Sequence, residues 1–80
     1  IKSRIKTKIY PNPTDDYLTV EILEDGFKTI RLRDLSGKMV LEEHTENRLS
    51  RLNLESLQSG IYLLDMINSS QKITKKVVIR

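Results

Sequence analysis

Cysteine is absent from all 80 residues. That excludes a disulfide framework, a thiolate metal site and a cysteine nucleophile, while leaving the compartment open. Tryptophan is absent too, and there is one phenylalanine against three tyrosines. So few aromatics count against a carbohydrate-binding appendage, which presents rings as platforms. No apolar run approaches the roughly 20 residues a membrane-spanning helix needs. Charge of one sign is also scarce: 14 basic residues face 11 acidic ones, for a net charge of +3 and an isoelectric point near 9.3. Such a balance favours anionic surfaces weakly. It lacks the concentrated basic face of a nucleic-acid binder, so no nucleic-acid partner is expected.

What is present fits one globular domain over residues 1–80. Hydrophobic residues make up 38% and charged residues 31%, which argues against disorder. A chain this short buries only about 60% of its unfolded surface, so the core must be thin. Ile1 is not an initiator methionine, and no charged-then-apolar leader precedes the first strand. The expectation is a fragment, or a processed piece, of something longer.

The hydrophobic period is two nearly everywhere. Around residues 6–10 lies a first short strand. In "YLTVEI", Leu18, Val20 and Ile22 alternate with Tyr17, Thr19 and Glu21, as in a half-buried strand. "TIRLRDL" places Ile30 and Leu32 on one face, Ser36-Gly37 supplies a turn, and "KMVLEE" runs back as a hairpin. "RLSRLNL" sets Leu52 and Leu54 together, with Leu49 out of phase as at a bend. Leu57 then plugs the connection "ESLQSG". Residues 61–66 are apolar on both faces, which reads as a strand covered on both sides. "KITKKVVI" closes the chain with Ile73, Val77 and Ile79 on one face. About seven short strands at this spacing define an all-β fold, an antiparallel β-sandwich of immunoglobulin-like character.

Catalytic signals are weak. His44, the one histidine, ends a polar strand tail with only Glu42 and Thr45 as sequence neighbours, and reads as a solvated strand-end residue. No serine sits in a G-x-S-x-G elbow. Gly37-Lys38 lacks the upstream glycine of a phosphate loop, because residue 32 is leucine. Asn12, Asp15 and Asp16 are oxygen-rich but lack the alternating acidic spacing of a calcium loop. Their expected role is a turn held by side-chain bonds to nearby amides. Asn68-Ser69-Ser70 fits the glycosylation triplet and nothing more. No metal, cofactor or catalytic residue is expected, so the chain reads as a non-enzyme.

Both prolines fall in "IYPNP", residues 9–13. They have no N–H for a ladder, so the stretch closes the first strand and aims the chain at the other sheet. Lys72, Lys75, Lys76 and Arg80 gather at the chain end, where lysine guards an edge strand against aggregation.

Four blocks together, "YPNPTDDYLTVEI", "IRLRDLSGKMVLEE", "LNLESLQSGIYLLDM" and "KITKKVVIR", resemble the type IX secretion C-terminal sorting domain family, in the family's order and over nearly the whole chain. The resemblance places recognition motifs at Tyr10, Pro11, Asn12 and Pro13, at Gly37 beside Asp34 and Lys38, at Gly60 and Tyr62, and at Lys75, Lys76, Val77, Val78, Ile79 and Arg80. Arg80 stands where family members often end in lysine. The resemblance implies a non-catalytic signal at the C-terminus of an exported protein of a Gram-negative bacterium. Its implied partners are a covalently linked N-terminal cargo, the type IX translocon, an outer-membrane shuttle protein and a sortase, and self-pairing into a homodimer is left open. The route runs through the periplasm to the outer-membrane surface or the medium, and the sortase cut lies at or before Ile1. The physical reading beside it is a compact label with an accessible terminal strand that main-chain pairing captures, set off from its cargo by the stiff "PNP". The other class of function is a sandwich appendage that binds carbohydrate or a cell-surface protein.

Overall fold

A computed structural model of the chain describes residues 6–23, 26, 28–69 and 71–80. Ile1 and Ser70, which bear on the cleavage and glycosylation readings, lie outside the described residues. Seven strands follow one another: β1 (Thr7–Tyr10), β2 (Tyr17–Ile22), β3 (Lys28–Asp34), β4 (Met39–Thr45), β5 (Leu49–Asn53), β6 (Gly60–Ile67) and β7 (Lys72–Ile79). All named strand pairs are antiparallel, in a three-stranded sheet of order β1-β2-β5 and a four-stranded sheet of order β4-β3-β6-β7. Strands 1, 2 and 5 opposite strands 3, 6 and 7 reproduce the immunoglobulin arrangement, with β4 added at one edge.

Alternation decides which side chains are buried. Leu18, Val20, Ile22 and Leu52 point inward from the smaller sheet. They meet Ile30, Leu32, Leu64, Met66, Val77 and Ile79 from the larger one, all at most 3% exposed. Each such aliphatic contributes about 1.5–3 kcal/mol on leaving water, and in so small a chain no layer is spare. Leu57 does pack against this core from its connection.

Several local readings are revised. Leu49 marks no bend: it opens β5 facing outward, and Ser50, Leu52 and Leu54 share the inward phase. The irregularity lies instead in the β3–β4 hairpin, where Leu32 pairs with Leu41 but Arg33 with Met39, leaving Val40 as a bulge. β6 is central in its sheet, between β3 and β7, yet its outer face is not covered by another layer. Ile61 on that face is 43% exposed. Its both-sided apolar pattern reflects neighbours with long side chains, Arg33 and Lys76 flanking Leu63 in the register, whose methylene stems shield apolar surface.

Two buried charges complete the frame. Lys28 is 2% exposed, and its Nζ donates to the carbonyls of Gly26 (2.9 Å), Glu46 (3.3 Å) and Asn47 (3.5 Å). This ammonium ties the loop before β3 to the loop after β4. Asp65, 1% exposed on the outer side of β6, accepts from Arg33 Nε (2.7 Å), Arg33 Nη2 (3.0 Å) and Thr74 Oγ1 (2.7 Å). Three adjacent strands are thereby clamped side to side.

Burial pushes the Asp65 carboxyl up, but hydrogen bonds from Arg33 and Thr74, helped by the charges of Arg33 and Lys72, outweigh it and leave the group below its ordinary value. The same hydrogen bond raises Arg33. A depressed carboxylate contributes stability that is present above its unfolded pKa of about 3.9 and is lost as pH falls through the lower folded value. Thermal melts of Asp65→Asn should therefore show lower stability at pH 7 and a shallower loss below pH ~4 than the parent chain. Parallel acid limbs would remove Asp65 from the account.

Candidate functional site

After β1 the chain crosses from one sheet to the other. Tyr10-Pro11 and Asn12-Pro13 are both cis peptides. Pro11 and Pro13 have no N–H, so residues 11–13 cannot pair as a regular strand. The side chain of Asn12 takes over, because a carboxamide carries the same donor and acceptor as a peptide group. Its Nδ2 donates to the carbonyl of Lys76 (2.9 Å), and its Oδ1 accepts from the N–H of Val78 (3.0 Å). Thr14 then continues with its backbone: its N–H donates to Val78 O (2.9 Å), and its carbonyl accepts from Arg80 N–H (2.8 Å). These four bonds form a strap across the free edge of β7, ending in a parallel bridge between Thr14 and Ile79.

The strap is anchored at both ends. Thr14 is 1% exposed, and its hydroxyl donates to the Tyr17 carbonyl. Asp15 Oδ1 lies 3.2 Å from Arg80 Nε, both well exposed. Lys75 faces inward by alternation and reaches across to the Thr7 carbonyl of β1 (3.3 Å). The expected local turn is thus corrected: Asn12 bonds β7 backbone 64 and 66 residues away, not neighbouring amides. The expectation of an open terminal strand is corrected as well. From the Lys76 carbonyl to the Arg80 N–H the edge backbone already has partners.

The register brings the other motif positions to the same place. Asp34, which begins the Gly37 turn, pairs with Tyr62, Tyr62 pairs with Val77, and Gly60 pairs with Ile79. One end of the four-stranded sheet therefore carries, in lateral order, the Asp34–Lys38 turn, the start of β6, the end of β7 and the strap. Asp34 Oδ1 accepts from Ser36 N–H (2.9 Å), Ser36 Oγ (2.6 Å) and Lys38 N–H (3.0 Å), and these bonds, Ser36's hydroxyl first, hold its carboxyl below the ordinary range. Gly37 has φ 93° and Gly60 φ 154°, conformations that favour glycine. At Gly60 a Cβ would meet nothing within 4 Å, so backbone conformation and not close approach explains it. Tyr62 is buried, and its hydroxyl donates to the Gln58 carbonyl (2.7 Å). Val77 and Ile79 point into the core, while Tyr10, Pro11, Pro13, Lys76 and Arg80 are exposed and Val78 is half-buried.

The remaining candidates for chemistry stay apart. His44 Nδ1 sits 3.1 Å from Thr29 Oγ1 and its Nε2 3.7 Å from Glu42, on the open face of an edge strand. Both polar atoms of the Asn12 amide serve β7 and Asp15 faces Arg80, so the oxygen-rich trio with Asp16 does not converge. The tyrosines do not share a platform: Tyr17 stacks under Arg51, with the guanidinium carbon 4.2 Å from the ring centre, and Tyr62 is internal.

Fold and motif cluster together define a small immunoglobulin-like sandwich whose distinctive residues gather at one sheet end. The chain belongs to the secretion system C-terminal sorting domain family of type IX secretion, whose family model matches residues 8–80. It is thus a sorting signal for export to the cell surface or beyond. It is also similar to an ulvan lyase, NLR42, from Nonlabens ulvanivorans, at 29% identity over 88% of this chain and 14% of that enzyme. The chain spans about one seventh of that relative's length.

The strap makes a direct prediction. Asn12→Ala removes two hydrogen bonds and should cost about 1–2 kcal/mol in urea unfolding. Asp15→Ala, which loses only an exposed ion pair, should stay within about 0.5 kcal/mol of the parent. Equal effects from the two variants would show that the amide does not hold the edge.

Proposed function

We propose that this chain is a non-catalytic address label for a covalently linked N-terminal cargo, read at the motif-bearing end of the four-stranded sheet. The observation that carries the reading is the strap itself: the leading motif and the terminal strand, at opposite ends of the sequence, are hydrogen-bonded into one surface. A label must be folded and legible without chemistry, and a surface built from both chain ends is complete only when the fold is complete. A receptor that reads it selects chains whose label is folded.

In this reading the cargo enters the periplasm by a removable signal peptide and crosses the outer membrane through the type IX translocon, assisted by a shuttle protein. A sortase then cuts upstream of the sandwich. Because the edge from the Lys76 carbonyl to the Arg80 N–H is already paired, recognition falls on side chains and on the composite edge, not on bare strand addition. Lys38, Lys76 and Arg80 are exposed cations of that end, and Tyr10, Pro11 and Pro13 its exposed apolar and rigid elements.

The test is a fusion of the chain to a signal-peptide-bearing reporter in a type IX-competent host. The reporter should reach the surface or the medium with its tail removed. Retention in the periplasm with the tail uncut would overturn the reading. Lys76→Ala combined with Arg80→Ala should leave the melting curve within error, since both groups are exposed, and should slow delivery.

A further inference from the structure

The outer face of the four-stranded sheet carries apolar side chains that the fold does not cover. Met39 is 48% and Ile61 43% exposed, and Leu63 and Val78 are half-buried beside them. The register makes these one patch: Ile61 pairs with Val78, Leu63 lies between Arg33 and Lys76, and Arg33 pairs with Met39. The patch sits at the motif-bearing end.

Its rim is cationic. Across this face Arg31, Arg33, Lys72 and Lys76 stand against two carboxylates, Asp65 and Glu42, with His44 beside Glu42. Asp65 is committed to Arg33 and Thr74. Arg31 is left 3.9 Å from it, beyond hydrogen-bonding distance, and its Nε is buried without an acceptor. A buried guanidinium donor without an acceptor is rare and costly, and the exposed part of the same side chain leaves its charge open to a carboxylate from outside.

We propose that this face docks a protein partner that presents carboxylates around an apolar centre, with Ile61 and Leu63 as the apolar contact and Arg31 and Lys76 as the charge contact. The proposal deepens the sorting-signal reading by giving chemistry to the receptor. An apolar centre within a charged rim is the usual anatomy of a protein interface, and opposite charge at the rim sets partner choice and encounter rate.

The probe is a glutamate–tyrosine copolymer, titrated into the chain and followed by amide chemical shifts and binding isotherms. Saturable binding should shift Ile61, Leu63 and Arg31. It should weaken about threefold or more in Arg31→Gln and in Ile61→Ser, the second an exposed position where the fold is not at stake. Arg51→Gln removes the same charge from the opposite sheet and should leave affinity unchanged. Equal weakening by Arg31→Gln and Arg51→Gln would reduce the effect to net charge and overturn the proposal. So would saturable binding of phosphatidylglycerol vesicles through this face when the copolymer does not bind. In cells, Ile61→Ser on the exported reporter should slow delivery. A parent reporter that is itself retained defeats the sorting reading, whereas an exported parent with an equally exported Ile61→Ser defeats only the docking face.

Discussion

The side-chain amide of Asn12 does the work of a peptide group. Held between two residues that cannot donate, it bonds Lys76 and Val78 on the last strand and lets Thr14 finish the strap. The closed edge of β7 at that end depends on it. The edge of β7 next to its most apolar run, Val77, Val78 and Ile79, would otherwise stand open as a template for other strands. Farther back along β7 the guard changes from hydrogen bonds to charge, with Lys72 exposed.

This arrangement brings blocks that are distant in sequence onto one surface. The "YPNP" block, the "LSGK" turn, the "SGIY" block and the basic strand meet at one sheet end because β3, β6 and β7 are neighbours there and the strap adds a fourth element. Each block also shapes its own surroundings. Asp34 and Gly37 form a hairpin turn, Gly60 starts β6 in a conformation other residues resist, and Asn12 closes the edge. A chain missing one block would lose part of a shared surface and part of the fold that displays it.

Much of the fold was legible in the sequence because burial in a sandwich imposes a period of two. Leu18, Val20, Ile22, Ile30 and Leu32 declared themselves by alternation alone. The β3–β4 hairpin did so through Ser36-Gly37. What pairs with what across the two sheets was not legible, since alternation assigns faces and not neighbours. Asn12 looked like a turn residue because a side-chain bond to a strand 64 residues away leaves no local pattern. The partners of Lys28 were not legible either: its stem is buried and its ammonium is held by three carbonyls from two loops. Asp65 hid inside an apolar run, its partners Arg33 and Thr74 identifiable only once the register of three strands was known.

Amide hydrogen exchange on the unmodified chain tests the strap most directly. Val78 and Arg80 N–H groups point to the edge of the sheet and are bonded only through Asn12 and Thr14. The N–H of Thr74 faces the same edge by alternation, beyond the reach of the strap. The account predicts that Val78 and Arg80 exchange slowly, well behind Thr74. Exchange of all three at the same fast rate would contradict it, because the two ends of the chain would then not be joined in solution.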